Sequence, residues 1–168
     1  MSLSPGPTVL VVMGVSGSGK STLAAYLAGC LGWDLEEGDD LHPAANIAKM
    51  SRGVPLDDAD RQPWLARVAA WTDKQLAEGR SGVITCSALK RSYRDLLRGE
   101  GVIFVHATGP KEVIAQRLHR REGHFMPETL LDSQYADLEE LGEDEVGVTV
   151  DLRLSPQEQA SSVIAQLG

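Results

Sequence analysis

Residues Met13 to Thr22 read MGVSGSGKST, set between the apolar run TVLVV and the helix-like LAAYLAGCL. Three glycines, a lysine and four hydroxyls between a strand and a helix suit either a turn or a cradle for phosphate. The context selects the cradle: Gly14, Gly19, Lys20 and Ser21 satisfy G-x-x-x-x-G-K-[ST] at the place this pattern requires, after a strand and opening a helix. Glycines let the backbone wrap closely, so that the N–H groups of Gly14, Val15, Ser16, Gly17, Ser18, Gly19, Lys20, Ser21 and Thr22 converge on phosphate oxygens at the positive helix end. Lys20 would reach the β- and γ-phosphates of ATP and the Ser21 hydroxyl would help hold Mg²⁺.

A magnesium ion in such a site needs a second anchor, commonly an Asp ending a neighbouring strand. The third apolar run, GVITCS, ends in Ser87, which leaves Asp39 in LEEGDDLHP as the next candidate, for metal or for accepting a proton from an attacking hydroxyl. Asp40 beside it is a weaker candidate. The following stretch, DDLHPAANIAKMSRGVPLDDADRQPW, gathers His42, Lys49, Arg52, Asp57, Asp60, Arg61 and Trp64 behind a strand's carboxyl end, where ligands bind in open parallel sheets. A second cationic group, SALKRSYRDLLR, carries Lys90 and Arg94 four apart, a spacing that places both on one helix face. Fixed cations with a few carboxylates suit an acceptor that has an anionic end and several hydroxyls; a plain nucleotide-hydrolysing switch has less use for them.

The elements that must position these groups follow from periodicity. Strands are expected at 8–13, 34–37, 82–87, 102–107 and 148–152, and helices at 20–31, 60–78, 89–98, 111–121, 127–141 and 156–167. Strand followed by helix, repeated, predicts an α/β fold with a parallel sheet covered on both faces. At 168 residues, 42% of them hydrophobic, the chain suits one core: residues 1–7 read as a loose tail and 8–168 as a single domain. A net charge of −8 argues against broad binding to nucleic acid or an anionic membrane, so any anionic ligand needs a local cluster of cations. Cys30 and Cys86 lack metal-like spacing and read as reduced, buried thiols of a cytoplasmic protein. No apolar run approaches the roughly twenty residues of a membrane helix. Trp64 and Trp71, seven apart on one helix, read first as core.

In order and spacing, MGVSGSGKS, GDDLHPAANIAKMSRGVPLDDADRQPWL, CSALKRSYRDLLR and REGHF resemble the blocks of the gluconate kinases (gluconokinases), small P-loop kinases, over about Val9 to Leu141. The resemblance implies a P-loop NTPase fold with five parallel strands and a lid at about 117–126. It also implies Mg²⁺-dependent transfer from ATP to the terminal hydroxyl of D-gluconate, giving 6-phosphogluconate, in a cytoplasmic enzyme that is commonly a homodimer. Carried over by residue, Asp39 and His42 face the sugar acid's hydroxyls, with Asp39 as proton acceptor. Lys49, Arg52, Arg61, Lys90 and Arg94 supply the cations for its carboxylate, a group that suits a bidentate arginine. Arg117 and Arg121 close over the phosphates as catalytic lid cations, His124 contacts substrate or packs the lid, and the loop 153–156 borders the adenine. Asp40, Arg120 and His106, in HATGP, depart from the family pattern. Two other readings remain: another small anionic acceptor, of the shikimate or adenylylsulfate kind, which shares the phosphate loop and the GDxL turn, and a nucleotide-binding module with no acceptor. The blocks DDxDRxPWL and CSALKxxYR distinguish the first reading, and acceptor-dependent ADP release the second.

Overall fold

A computed structural model describes residues 6–120 and 128–168. Five parallel strands form one sheet: β1 (Val9–Met13), β2 (Asp34–Glu37), β3 (Gly82–Thr85), β4 (Val102–Thr108) and β5 (Gly147–Asp151), in spatial order β2-β3-β1-β4-β5. The helices are α1 (Lys20–Leu31), α2 (Ala44–Ser51), α3 (Asp58–Ala77), α4 (Arg91–Leu97), α5 (Lys111–Arg120), α6 (Glu128–Asp137) and α7 (Pro156–Leu167), with a 3₁₀ turn at Gly38–Leu41.

β1 lies at the centre, and its alternation divides the interior. Leu10 and Val12 pack with Leu23, Leu27, Val163 and Leu167 from α1 and α7; Val9, Val11 and Met13 pack with Leu65, Val68, Tyr93 and Leu97 from α3 and α4. That division explains the unbroken apolar run, because a strand covered on both faces has no polar side. A third cluster, Val15, Leu89, Ile114, Leu131 and Leu152, lies under the loops. β2 pairs with β3 alone and is partly exposed, which accounts for its weak apolar signal. Register aligns Val12 and Glu37 with Thr85, so the chain leaves β1, β2 and β3 at neighbouring points of one sheet edge.

Several boundaries differ from expectation. α2 occupies a segment read as irregular and charged; it starts behind Pro43, spans eight residues and buries Asn46, too short a stretch for periodicity to reveal. α3 starts at Asp58 rather than at 60 because Asp57 and Asp60 form a reciprocal capping box, each side chain accepting from the other's backbone N–H. β3 stops at Thr85, and a turn to Lys90 intervenes before α4. Within it Ala88, wholly buried, has φ of 43°, unusual for a residue with a Cβ. α6 stops at Asp137, short of 141. Of the two thiols Cys86 is buried, with its pKa pushed up to about 12 by burial, whereas Cys30 is exposed, contrary to expectation.

The expected common face for Lys90 and Arg94 does not form. Lys90 caps α4 and pairs with Asp58 at 3.1 Å, while Arg94 points inward with 1% of its side chain exposed. Its guanidinium donates to both oxygens of Glu145, at 2.6 and 3.0 Å, and to the carbonyls of Ala88 and Leu89. The adjacent guanidinium holds the Glu145 carboxyl below its ordinary pKa. Arg94 therefore braces the turn at Ala88, and its charge is committed within the fold.

Gly38 has no room for a side chain: a Cβ there would lie 1.9 Å from the Thr85 carbonyl oxygen. Gly38→Ala should cost about 3 kcal/mol in urea unfolding, since the clash is with backbone and cannot relax by rotamer change. Arg94→Ala should cost about 3–5 kcal/mol in the same measurement by stranding Glu145, and Arg94→Lys should not restore it, lacking the forked donors. An unchanged unfolding midpoint in the Arg94 variants would return this residue to the ligand-holding role the sequence suggested.

Candidate active site

The phosphate loop joins β1 to α1. Gly14 has φ of 151° and no space for a Cβ, which would meet Ala107 O and Ser18 Oγ at 2.8 Å. α1 begins at Gly19 with no side-chain cap and no acidic residue in its first turn, so its leading N–H groups are kept from any internal anion. Lys20 donates to the carbonyls of Gly14 and Val15 at 2.9 and 3.0 Å. Burial lowers its pKa, and the charges of Asp39 and Glu37 oppose that shift.

One carboxylate that sequence reasoning missed stands beside this loop. Ser21 donates to Glu37 at 3.0 Å, and Thr85 donates to the same oxygen at 2.7 Å. Glu37 ends the edge strand two residues before Asp39, and GDD drew attention away from it; a carboxylate ending a strand beside the loop was the available signal. Asp39, expected at the metal or as proton acceptor, exposes 88% of its side chain, lines the cleft described next together with Lys20 and lies 4.0 Å from His42 Nε2. Asp40 is exposed and does not line the cleft described next.

A cleft of about 390 Å³ opens beside the loop. Ser16 and Lys20 line it from the loop, Asp39 and His42 from the turn after β2, Arg61 and Trp64 from α3, and Ser133 and Gln134 from α6. Trp64, expected in the core, does both jobs: it is buried, donates to Gly38 O at 2.8 Å and carries the stacked His42 ring at 4.3 Å. Asn46, a second residue the sequence did not single out, fixes the His42 tautomer. Its Nδ2 donates to Asp60 O at 2.9 Å and lies 3.2 Å from His42 Nδ1, so Nδ1 accepts and the ring hydrogen belongs on Nε2, facing Asp39. Burial lowers the His42 pKa, Asp39 works against that shift and Arg61 with it, so the ring is neutral at neutral pH.

The cations separate. Arg61 lines the cleft, donates to the Tyr93 hydroxyl at 2.9 Å, lies over the Tyr93 ring and approaches Asp137 at 3.8 Å. Lys49 is paired with Asp60, which raises its pKa, and Asp57 stands 3.9 Å away. Lys90 is paired with Asp58, which also accepts from Tyr93. Arg52 is exposed, and neither it nor Lys49, Lys90 or Arg94 lines the cleft. Arg121 and His124, like most of the expected lid, lie outside the described residues.

A second cavity, of about 350 Å³, lies on the other side of the loop. Gly17, Gly19, Thr22, Arg117, Leu154, Pro156 and Gln159 contribute to its lining. Arg117, expected over the phosphates, donates to Leu152 O at 2.6 Å on this side. Among the described residues no helix is long and apolar enough to cross a membrane.

Known proteins resemble this chain over most of its length. A family described as an AAA domain matches residues 9–141. The gluconokinase of Gluconobacter oxydans is 56% identical over 146 residues, covering 86% of this chain and 82% of that protein. The crystal structure of a gluconokinase from Sinorhizobium meliloti superposes with a TM-score of 0.87 at 45% identity, covering 98% and 93% of the two chains. The unliganded crystal structure of a sugar kinase from Janibacter does so with a TM-score of 0.89 at 51% identity, covering 96% and 94%. The identity extends well past the phosphate loop that many nucleotide-binding proteins share, and with the five-stranded parallel sheet it decides the assignment: this chain belongs to the gluconokinase family of P-loop kinases.

Proposed function

We propose that this protein transfers the γ-phosphoryl group of ATP to the terminal hydroxyl of D-gluconate, giving 6-phosphogluconate. The observation that carries the reading is a single cleft lined by the phosphate-loop lysine, Lys20, and by Asp39, His42 and Arg61. A nucleotide switch has no use for such a second compartment, and family membership favours gluconate over the shikimate and adenylylsulfate kinds of acceptor.

In this reading the cavity beside Arg117 and Pro156 takes the nucleoside, and the loop from Gly14 to Thr22 takes the phosphates. Arg61 holds the gluconate carboxylate through its guanidinium fork, with Tyr93 and Asp137 fixing its direction. His42, neutral and carrying its hydrogen on Nε2, donates to an acceptor oxygen, while Asp39, open to the cleft, accepts the proton that the attacking hydroxyl gives up. Oxygen ligands of this kind suit Mg²⁺: Ser21 would hold it, with Glu37 positioned behind the hydroxyl to receive metal-bound water. The ion, when bound, neutralises charge on the phosphates. Lys20 gives up its loop carbonyls for phosphate oxygens, and the oriented encounter supplies much of the rate, of order 7–11 kcal/mol for a well-placed pair.

The test is ADP release with ATP and Mg²⁺ against gluconate, its epimers, shikimate, adenylylsulfate and no acceptor, with product mass read in parallel. A gluconate-dependent rate and a singly phosphorylated product are expected; release indifferent to every acceptor would sink the assignment. Lys20→Ala should nearly abolish turnover. Arg61→Ala should raise the gluconate KM by about tenfold or more, as loss of a charge-assisted contact does, while the ATP KM moves by less than about twofold. Equal changes in both constants would remove Arg61 from the carboxylate.

A further inference from the structure

Gln134 of α6 ties the phosphate loop to the acceptor side of the site, where Gly14 N–H also donates to Ser87 O at 3.3 Å. Ser16 N–H donates to Gln134 Oε1 at 2.6 Å, and Gln134 Nε2 donates back to Ser16 Oγ at 2.9 Å, across 118 residues of sequence. Both ends of one amide are thus spent on one loop residue. The backbone N–H of Ser16 is oriented by a side chain from α6, whereas those of Gly14 and Ser18 are held by the carbonyls of Ser87 and Val15.

Gln134 projects from an anchored base. Leu131 of the same helix is buried in the cluster with Val15 and Leu152, and Asp132 accepts from Lys111 of α5. Just past the helix, Glu139 N–H donates to Leu89 O at 2.7 Å. Leu89 and Ser87, from the turn that Arg94 braces, line the acceptor cleft together with Ser16 and Gln134. The clasp therefore sits where the phosphate loop and the acceptor wall meet.

We propose that Gln134 is a positioning residue for phosphoryl transfer: acting through Ser16, it sets the loop tip against the acceptor wall, so that the acceptor hydroxyl rather than water meets the terminal phosphate. The inference rests on the kinase reading above. Its chemistry is alignment alone, for which misplacement of about 1 Å can cost a hundredfold in rate.

The test uses Gln134→Ala and Gln134→Met, the latter preserving bulk while removing both polar groups, together with Ser16→Ala and the double variant Ser16→Ala/Gln134→Ala. Wild-type protein is assayed alongside: if it makes no gluconate-dependent product, the kinase reading fails, whereas a working wild type leaves this inference to be judged by the variants. Both Gln134 variants should lose about 10- to 100-fold in kcat, shift the ATP KM by less than about twofold, and consume more ATP per 6-phosphogluconate formed. The double variant should be no slower than Gln134→Ala alone, because one residue acts through the other. Normal kcat and coupling in Gln134→Ala, rescue by Met, or losses that multiply in the double variant would each overturn the proposal. So would a loss that tracks a lowered unfolding midpoint and disappears on cooling.

Discussion

A lysine ammonium partly withdrawn from water is the constraint around which the rest is arranged. Desolvation works against the charge on Lys20, and the loop carbonyls of Gly14 and Val15 with the fields of Asp39 and Glu37 work for it. To place those carboxylates, the chain leaving β2 must pass close to β3. Gly38 allows that passage, with its N–H donating to Thr85 Oγ1 and its carbonyl accepting from Trp64. Trp64 in turn supports the His42 ring. A single electrostatic need at the end of β1 thus reaches through the turn after β2 to the wall of the acceptor cleft.

What the sequence made legible was local. The phosphate loop is contiguous, and its glycines are demanded by backbone geometry that neighbours in sequence create. Strands such as Val9–Met13 were evident because burial on both faces removes polar residues altogether. Charge type, by contrast, carried no direction. Arg94 looked like a ligand cation because Glu145, its partner, lies 51 residues away in an unremarkable loop. Glu37 was not singled out because its partners, Ser21 and Thr85, come from two other segments. Asn46, Gln134 and the reciprocal Asp57–Asp60 cap depend on tertiary proximity or on short-range geometry that hydrophobic period does not record. Family resemblance located the blocks, but it could not say which cation in each block turns inward.

The acidic balance of the chain now has a local meaning. With 24 acidic and 16 basic residues, most cations near the site have a carboxylate to hand: Lys49 with Asp60, Lys90 with Asp58, Arg91 with Asp144, Arg94 with Glu145. The exposed pairs among these contribute little to stability, unlike the buried Arg94–Glu145 pair, but each of the four removes a cation from competition for an anionic ligand. Arg61 is held differently, by a neutral phenol at 2.9 Å and by Asp137 at 3.8 Å, so its guanidinium is steered without being neutralised at hydrogen-bond distance. In the proposed reading, a carboxylate entering the cleft would meet a fixed direction of positive charge, and its reacting end would then be determined by the length of the molecule between Arg61 and the phosphate loop. Selectivity in such a site comes from span and hydroxyl placement more than from net attraction, which is how a protein of net charge −8 can accommodate two anionic ligands side by side.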